Sequence, residues 1–138
     1  MPAALTCLLV DDDQDDQEIF NLALVDSGLK MKCVVSSSAV EALAMLKQEQ
    51  YALPDYIFLD LNMPRINGMQ FLTEVKKNSR LQNIPVVIYS TSSHPKDIDA
   101  TKKLGAAAFI TKPSGIKELS HLLNEFFQTH FQPALHQA

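Results

Sequence analysis

Residues 56–63 read YIFLDLNM, in which an unbroken apolar run is followed by an acid. This pattern indicates the kind of sheet that the chain forms. Residues 5–13, LTCLLVDDD, repeat the pattern, with an apolar run followed by acids. A strand made only of apolar residues is buried on both faces, which is typical of a parallel sheet covered by helices. The functional crevice of such a sheet lies beyond the carboxyl ends of its strands. The two runs therefore predict a parallel sheet with acids along its carboxyl edge.

The rest of the chain alternates short apolar runs with longer amphipathic stretches, which predicts repeated strand–helix units. The expected strands are Leu5–Val10, Met31–Val35, Tyr56–Leu59, Pro85–Tyr89 and Ala107–Ile110. The expected helices are about Gln14–Asp26, a second beginning at a capping box of Ser38 and Glu41, about Gly68–Asn78, Pro95–Leu104 and a fifth with an apolar stripe from Ile116 to Phe127. This order predicts a doubly wound α/β fold. We expect a single domain over residues 1–138, with a core of about 4–130 and a short tail, 131–138, that frays.

Composition and charge argue against several classes of function. The chain has 138 residues and a formal net charge of −4, which argues against binding nucleic acid, because that requires clustered Lys and Arg. No apolar run reaches the roughly 20 residues that span a bilayer. The N-terminal stretch MPAALTCLLV lacks the basic residues of a signal peptide. We therefore expect a cytoplasmic protein without a membrane partner, in which Cys7 and Cys33 are buried free thiols.

Polar residues follow four of the expected strands, at the positions where each strand ends. They are Asp11, Asp12 and Asp13, then Asp60 and Asn62, then Ser90 and Thr91, and finally Thr111 and Lys112. Carboxylates that meet at one edge repel each other unless a cation joins them, and Mg²⁺ takes one or two carboxylates together with waters and phosphate oxygens. An ammonium and a hydroxyl beside them can hold the oxygens of a transferring phosphoryl group. The pattern therefore indicates a magnesium and phosphoryl site, in which a carboxylate can serve as the nucleophile.

Four segments carry a resemblance to a known family. In chain order they are LLVDDD, LDLNMPRINGMQFL, VVIYST and FITKP. Over about residues 4–130 the chain resembles the receiver domain of two-component response regulators, and is most similar to the small chemotaxis-type and phytochrome-associated-type regulators without an output domain. The resemblance implies a flavodoxin-like fold with strand order 2-1-3-4-5. It also implies signalling by phosphorylation rather than turnover of a substrate, the only chemistry being phosphorylation and dephosphorylation of the domain itself.

The resemblance implies a role for each matching residue at the metal and phosphoryl site. Asp60 becomes the phosphoacceptor, Asp12 a direct Mg²⁺ ligand and Asp11 a ligand mainly through water. Asn62 gives the metal its backbone carbonyl, and Lys112 contacts the phosphoryl oxygens.

Other matching residues belong to the switch that reports phosphorylation. Ser90 provides the switch hydroxyl, and Thr91 binds phosphate through its N–H. Phe109 stands where the family places an aromatic, often Tyr, so a hydrogen bond from that hydroxyl is unavailable here. A cis peptide bond is expected before Pro113.

The expected partners follow from the same resemblance. The phosphoryl donor is a sensor histidine kinase or a histidine phosphotransfer protein, docking on the first helix near Asp15, Ile19 and Phe20 and on the Ser114–Gly115 loop. The output is an unknown downstream protein or a second copy of the chain. It is expected to bind helix four, strand five and helix five, over Lys96–Leu104, Ala107–Phe109 and Lys117–Phe126.

Three other functions remain open on the sequence. A haloacid-dehalogenase-type hydrolase also uses an aspartyl nucleophile, Mg²⁺ and a lysine, but it places the nucleophile after its first strand in a D-x-D pattern. A flavodoxin-like cofactor binder would need a phosphate loop where this chain has acids. A constitutive receiver-like binding module would not need every motif residue.

Among the acids of the first loop, Asp13 is expected to cap the first helix, with Asp15 and Asp16 in its first turn.

Overall fold

The computed structural model describes residues 5–63, 67–92 and 94–137, with side chains up to residue 129. The strands in these ranges are β1 (Leu5–Val10), β2 (Met31–Ser36), β3 (Tyr56–Leu59), β4 (Val86–Ser90) and β5 (Ala108–Thr111). The helices are α1 (Gln14–Ser27), α2 (Ala39–Leu46), α3 (Gly68–Lys77), α4 (Pro95–Lys103) and α5 (Ile116–Gln137). Strands and helices alternate along the chain, as the sequence predicts.

The strands form one parallel sheet in the order β2-β1-β3-β4-β5. Strand β1 lies between β2 and β3, so that Leu8 is paired with Val34 on one side and Ile57 on the other. Chain order reverses at β1, and the crevice between the carboxyl ends of β1 and β3 is the place where such a fold binds its ligand. The predicted doubly wound fold is confirmed.

Each face of the sheet is covered by its own apolar cluster. On one face, residues of α1 and α5 contact the sheet through a ring cluster of Phe20, Tyr56, Phe58, Tyr89, Phe126 and Phe127. On the other face, Ala42, Leu46, Phe71 and Leu72 of α2 and α3 cover the sheet. The central strands are therefore apolar on both faces because both faces are covered, and polar residues are left to the strand ends.

Capping residues fix the ends of the helices. The Asp13 carboxylate accepts a hydrogen bond from the Asp16 N–H at 3.1 Å, which confirms Asp13 as the N-cap of α1. The Ser38 hydroxyl accepts a hydrogen bond from the Glu41 N–H at 3.2 Å and so caps α2. The other half of the predicted capping box is wrong, because the Ser38 N–H donates to the Ser36 hydroxyl at 3.4 Å. Gly28 ends α1 in the left-handed conformation, with φ of 76°. Such caps satisfy N–H and carbonyl groups that the helix itself leaves without partners.

The structure differs from the sequence predictions in small shifts and in one larger extension. Strands β4 and β5 each begin and end one residue later than predicted, because the ladder continues until Ser90 pairs with Thr111. The backbone of α5 remains helical to Gln137, beyond the apolar stripe that ends at Phe127, and the fraying of the tail stays a prediction. Residue 138 lies outside the described residues.

The two cysteines are free thiols, as expected. Cys7 is fully buried, whereas Cys33 is half-buried because β2 lies at the edge of the sheet.

Candidate metal and phosphoryl site

The sheet ladder extends beyond the strands and places the acidic and basic residues. The Asp11 N–H donates to the Ser36 carbonyl, and the Asp60 N–H donates to the Val10 carbonyl, both at 3.0 Å. The Lys112 N–H donates to the Ser90 carbonyl at 2.7 Å. These residues therefore continue the hydrogen-bond ladder of the sheet, although each stands just past the end of its strand.

Three carboxylates converge at this edge. One oxygen from each of Asp11, Asp12 and Asp60 lies within 4.8 Å of the others. Asp11 is fully buried and Asp60 is 6% exposed, whereas Asp12 faces solvent. Oxygen donors at this spacing, with one side open to water, suit a hard divalent cation that retains part of its hydration shell. The residues present thus fit the metal that the sequence predicts.

The Lys112 ammonium lies among these carboxylates. It is 2.8 Å from Asp11 Oδ2 and 3.5 Å from Asp60 Oδ2. Its shortest contact, 2.7 Å, joins it to Asp16 Oδ2 in the first turn of α1. We expected Asp16 only to face the helix N-terminus, so this contact is a feature that the sequence analysis missed. The ammonium also lies 5.1 Å from the centre of the Tyr89 ring.

Burial and neighbouring charges shift the pKa values of Asp11 and Lys112 in opposite directions. Burial raises the pKa of Asp11 above its usual value, although hydrogen bonds from Lys112 and from the Asp13 N–H oppose the rise. Burial would lower the pKa of Lys112, but hydrogen bonds to Asp11 and Asp16 together outweigh it, and that pKa is raised. The ammonium thus remains charged, yet it does not fully compensate the carboxylate beside it. A second cation would remove the remaining cost.

Two backbone features fix Asp60 itself. The Asn62 N–H donates to Asp60 Oδ1 at 3.2 Å, which orients the carboxylate. Gly68, the first residue of α3, approaches so closely that a Cβ there would lie 2.6 Å from the Asp60 carbonyl oxygen. Gly68 is thus a helix-start residue as expected, and its lack of a side chain lets α3 begin directly beside the acidic loop. Pro64, part of the same motif, lies outside the described residues.

The remaining predicted residues line the same edge or the strand beside it. Ser90 is fully buried, and its hydroxyl accepts a hydrogen bond from the Ser92 N–H at 3.3 Å. Thr91 is exposed next to it. Phe109 is half-buried and borders a small pocket beneath α4, together with Ile98 and Thr101. The switch roles of Ser90, Thr91 and Phe109 stay predictions.

Two expectations are wrong. The described peptide bonds are all trans, including the bond between Lys112 and Pro113. Trans is the lower-energy form even before proline, and in this geometry it leaves the ammonium of Lys112 in reach of the carboxylates. Phe20 does not lie on the docking surface of α1, because its side chain is fully buried against Phe58 and Tyr89. An apolar ring on the inner side of an amphipathic helix belongs to the core.

The sequence over residues 7–124 matches the family described as the response regulator receiver domain. The chain belongs to this family. The receiver is 33% identical over 116 residues to the response regulator Rcp1 of Synechocystis, covering 81% of this chain and 79% of that protein. It is also 33% identical over 117 residues to the two-component response regulator ORR13 of Oryza sativa subsp. japonica, covering 85% and 93% of the two chains.

Solved structures agree with this assignment. The phosphorylated cyanobacterial phytochrome response regulator RcpA superposes on the receiver with a TM-score of 0.82 at 33% identity, over 91% of this chain and 93% of that one. The Mn²⁺-bound form of Rcp1 superposes with a TM-score of 0.78 at 30% identity, over 90% and 92%. The predicted resemblance is confirmed, and the hydrolase alternative gains no support from these comparisons.

Family membership gives a general meaning to the site. Receiver domains bind a divalent metal at their acidic pocket and are phosphorylated by histidine kinases. In this receiver, three carboxylates converge at the carboxyl edge of the sheet. Within the described ranges, no helix is both long and apolar enough to cross a membrane.

Proposed function

We propose that Asp60 is the phosphoacceptor of a Mg²⁺-dependent switch, which signals by changing what the receiver binds. One observation supports this most strongly: the nearly buried Asp60 carboxylate lies both within 4.8 Å of two other carboxylates and 3.5 Å from the Lys112 ammonium. A carboxylate in that position can attack phosphorus while charges of both signs are already arranged around it. Preorganised charges of this kind are the main source of catalysis in phosphoryl transfer.

The proposed transfer conserves atoms and electrons. An Asp60 oxygen forms a bond to the phosphorus of the donor, and the phosphorus–nitrogen bond of a phosphohistidine breaks. The imidazole leaves with that electron pair and can take up a proton. Asp60 becomes an acyl phosphate, and a later attack of water on phosphorus restores the carboxylate and releases inorganic phosphate.

Other residues of the site would bind the metal and contact the phosphoryl oxygens. Asp12, Asp60 and the Asn62 backbone carbonyl would hold Mg²⁺ directly, and Asp11 would hold it mainly through water. The metal supplies positive charge that neutralises the phosphoryl oxygens and the carboxylates. Lys112 supplies a second positive charge to those oxygens, and the Thr91 N–H supplies a donor.

The proposed donor is a sensor histidine kinase or a histidine phosphotransfer protein in the cytoplasm. Asp60 is reached from solvent at the carboxyl edge of the sheet, so the donor must contact the loops and the helix start beside that edge. We place its docking surface on Asp15 and Ile19 of α1 and on the Ser114–Gly115 loop. Asp15 is exposed and Ile19 is half-buried, which suits a surface contact.

The proposed output passes from Ser90 to α4, β5 and α5. A phosphoryl group on Asp60 would draw in the Ser90 hydroxyl and the Lys112 ammonium, and both residues begin loops that lead to this face. Phe109 lies on β5 beside the pocket under α4, so movement of its ring would alter that surface. A ligand shifts such an equilibrium only by its differential affinity for the two states. The partner is another protein or a second copy of the receiver.

The acceptor is tested by incubating the protein with acetyl phosphate and Mg²⁺ and measuring its intact mass. We expect a single phosphoryl adduct, because the site itself supplies the cation and the charge stabilisation. The adduct should vanish in Asp60→Asn and when a chelator removes the metal. Equal labelling of Asp60→Asn would refute the assignment of Asp60, and no labelling of the wild type would favour the constitutive binding module.

The output face is tested by hydrogen exchange with and without beryllofluoride, a mimic of the phosphoryl group. Changed protection across Lys96–Leu104, Ala107–Phe109 and Lys117–Phe126 is the expected result. Changes confined to α1 and α2 would show that the proposed output face is wrong.

A further inference from the structure

The Lys112 ammonium makes its shortest contact with a carboxylate outside the acidic triad. Asp16 Oδ2 lies 2.7 Å from Nζ, whereas Asp60 Oδ2 lies 3.5 Å away, at the limit of a hydrogen bond. Asp16 belongs to α1, while Asp60 follows β3. In this state the lysine is therefore bound more closely to the helix than to the acceptor carboxylate.

The two short contacts of Lys112 differ in what it costs to break them. The Asp11 side chain is completely buried, so loss of the ammonium would leave an uncompensated charge in the interior. The Asp16 side chain is 27% exposed, so water can solvate its carboxylate if the ammonium leaves. A lysine that must shift toward a new anion will therefore keep Asp11 and release Asp16.

A buried aromatic ring limits the paths that this shift can take. The Tyr89 ring lies 5.1 Å from Nζ, is 1% exposed and contacts Phe20 of α1 edge-on at 5.4 Å. An ammonium over a ring face is attracted to it, and the packed ring closes one side of the site. The ring therefore excludes movement toward its own side, and both Asp16 and Asp60 remain within reach of the ammonium.

We propose that Asp16 is a positioning residue, which retains the Lys112 ammonium at α1 in the unphosphorylated receiver and yields it when Asp60 carries a phosphoryl group. The inference rests on the proposed function of Asp60. Asp16 thereby opposes phosphorylation in two ways: it competes for the ammonium, and its charge repels the incoming phosphoryl oxygens. Release of the pair also links the state of Asp60 to the first turn of α1, the helix on which we place the donor.

The first test compares labelling rates with acetyl phosphate at Mg²⁺ concentrations that saturate each variant, so that metal affinity does not contribute. Asp16→Asn should label about threefold faster than the wild type, the scale of one partly solvated ion pair. Glu18→Gln removes a charge from an exposed position of the same helix and should label at the wild-type rate. Asp16→Glu restores a carboxylate and should return the rate toward that of the wild type.

The second test measures amide NMR shifts on adding beryllofluoride with Mg²⁺. The wild type should show shifts in the first turn of α1, Gln14–Gln17, because the ion pair there is released. In Asp16→Asn these shifts should be lost while those around Asp60 persist. A loss of packing alone would not remove the first set selectively.

The outcomes separate this inference from the proposed function. If wild-type protein takes up no phosphoryl group, the function proposed for Asp60 fails. If the wild type is labelled but Asp16→Asn is labelled no faster than Glu18→Gln, or more slowly, the restraining role of Asp16 is refuted and the function of Asp60 stands. Unchanged α1 shifts in Asp16→Asn would likewise refute it.

Discussion

Two cationic side chains, Lys112 and Arg80, lie at opposite edges of the sheet, and they differ in the groups that they contact. At the carboxyl edge, Lys112 lies among the carboxylates of Asp11, Asp16 and Asp60. At the amino edge, Arg80 precedes β4. Within the described residues, its guanidinium donates hydrogen bonds to backbone carbonyls at the end of α2 and in the segment that follows it. Its partners are Leu46 at 2.5 Å, Tyr51 at 2.8 Å and Glu49 at 3.1 Å.

The two sets of partners differ in charge: Arg80 contacts neutral carbonyls, whereas Lys112 contacts carboxylates. Neutral carbonyls satisfy the hydrogen-bond donors of Arg80 without bringing further charges together at that edge. The carboxylates around Lys112, together with Asp12, outnumber the single ammonium, so that edge is left with excess negative charge. Folding does not neutralise this excess. We propose that this excess attracts a divalent cation, which would in turn neutralise the phosphoryl oxygens. Removing each of the two cationic side chains tests whether the two edges differ in this way.

The largest expected effect concerns the labelling rate. Lys112→Met should slow labelling by acetyl phosphate by about 100-fold, the usual cost of losing one group that stabilises charge in the transition state. Arg80→Met, which removes a cation from the other edge, should label within about twofold of the wild type. The rates are measured by intact mass under conditions where both variants remain folded. Equal losses in the two variants would erase the distinction between the edges.

The second effect concerns stability. Arg80→Met should lower the free energy of unfolding by about 2–3 kcal/mol, because backbone carbonyls lose a charged donor. Lys103→Met, which breaks an exposed ion pair with Asp99, provides the control and should change it by less than about 1 kcal/mol. Urea denaturation of both variants gives the comparison. A neutral result for Arg80→Met would show that water replaces its hydrogen bonds at no cost.

The sequence predicts the carboxyl edge much better than the amino edge, for a physical reason. Asp60 and Lys112 follow strands that are recognisable as apolar runs, so their meeting place is set by the topology of the sheet. The partners of Arg80 are backbone carbonyls, which carry no sequence signature. Asp16 could not be distinguished from an ordinary first-turn acid, because its contact with Lys112 depends on how α1 packs against the sheet.

The third effect concerns Mg²⁺. A ligand that binds only the folded state stabilises it by about 2.7 kcal/mol at 100 times its dissociation constant, so the melting temperature of the wild type should rise with added Mg²⁺. Asp12→Ala should lose this rise, and Asp11→Asn should lose less of it. Arg80→Met should keep the full rise, since distant sites contribute independently. A wild-type melting temperature that millimolar Mg²⁺ leaves unchanged would count against the metal site.

The smallest effect on labelling concerns Ser90. Ser90→Ala should still accept the phosphoryl group within about threefold of the wild-type rate, because the hydroxyl is not the nucleophile. It should fail to switch, so its amide spectrum should change only near Asp60 when beryllofluoride is added. A response across α4, β5 and α5 equal to that of the wild type would remove Ser90 from its proposed role.

The proposed function depends above all on which residue carries the phosphoryl group. The direct measurement is reduction of the labelled protein with borohydride, which converts an aspartyl phosphate to homoserine and releases phosphate, followed by peptide sequencing by mass spectrometry. We expect homoserine at position 60 and at no other acid of the cluster, and none in the absence of Mg²⁺. This result follows from Asp60 as the acceptor. Homoserine at position 11, 12 or 16 instead would contradict it.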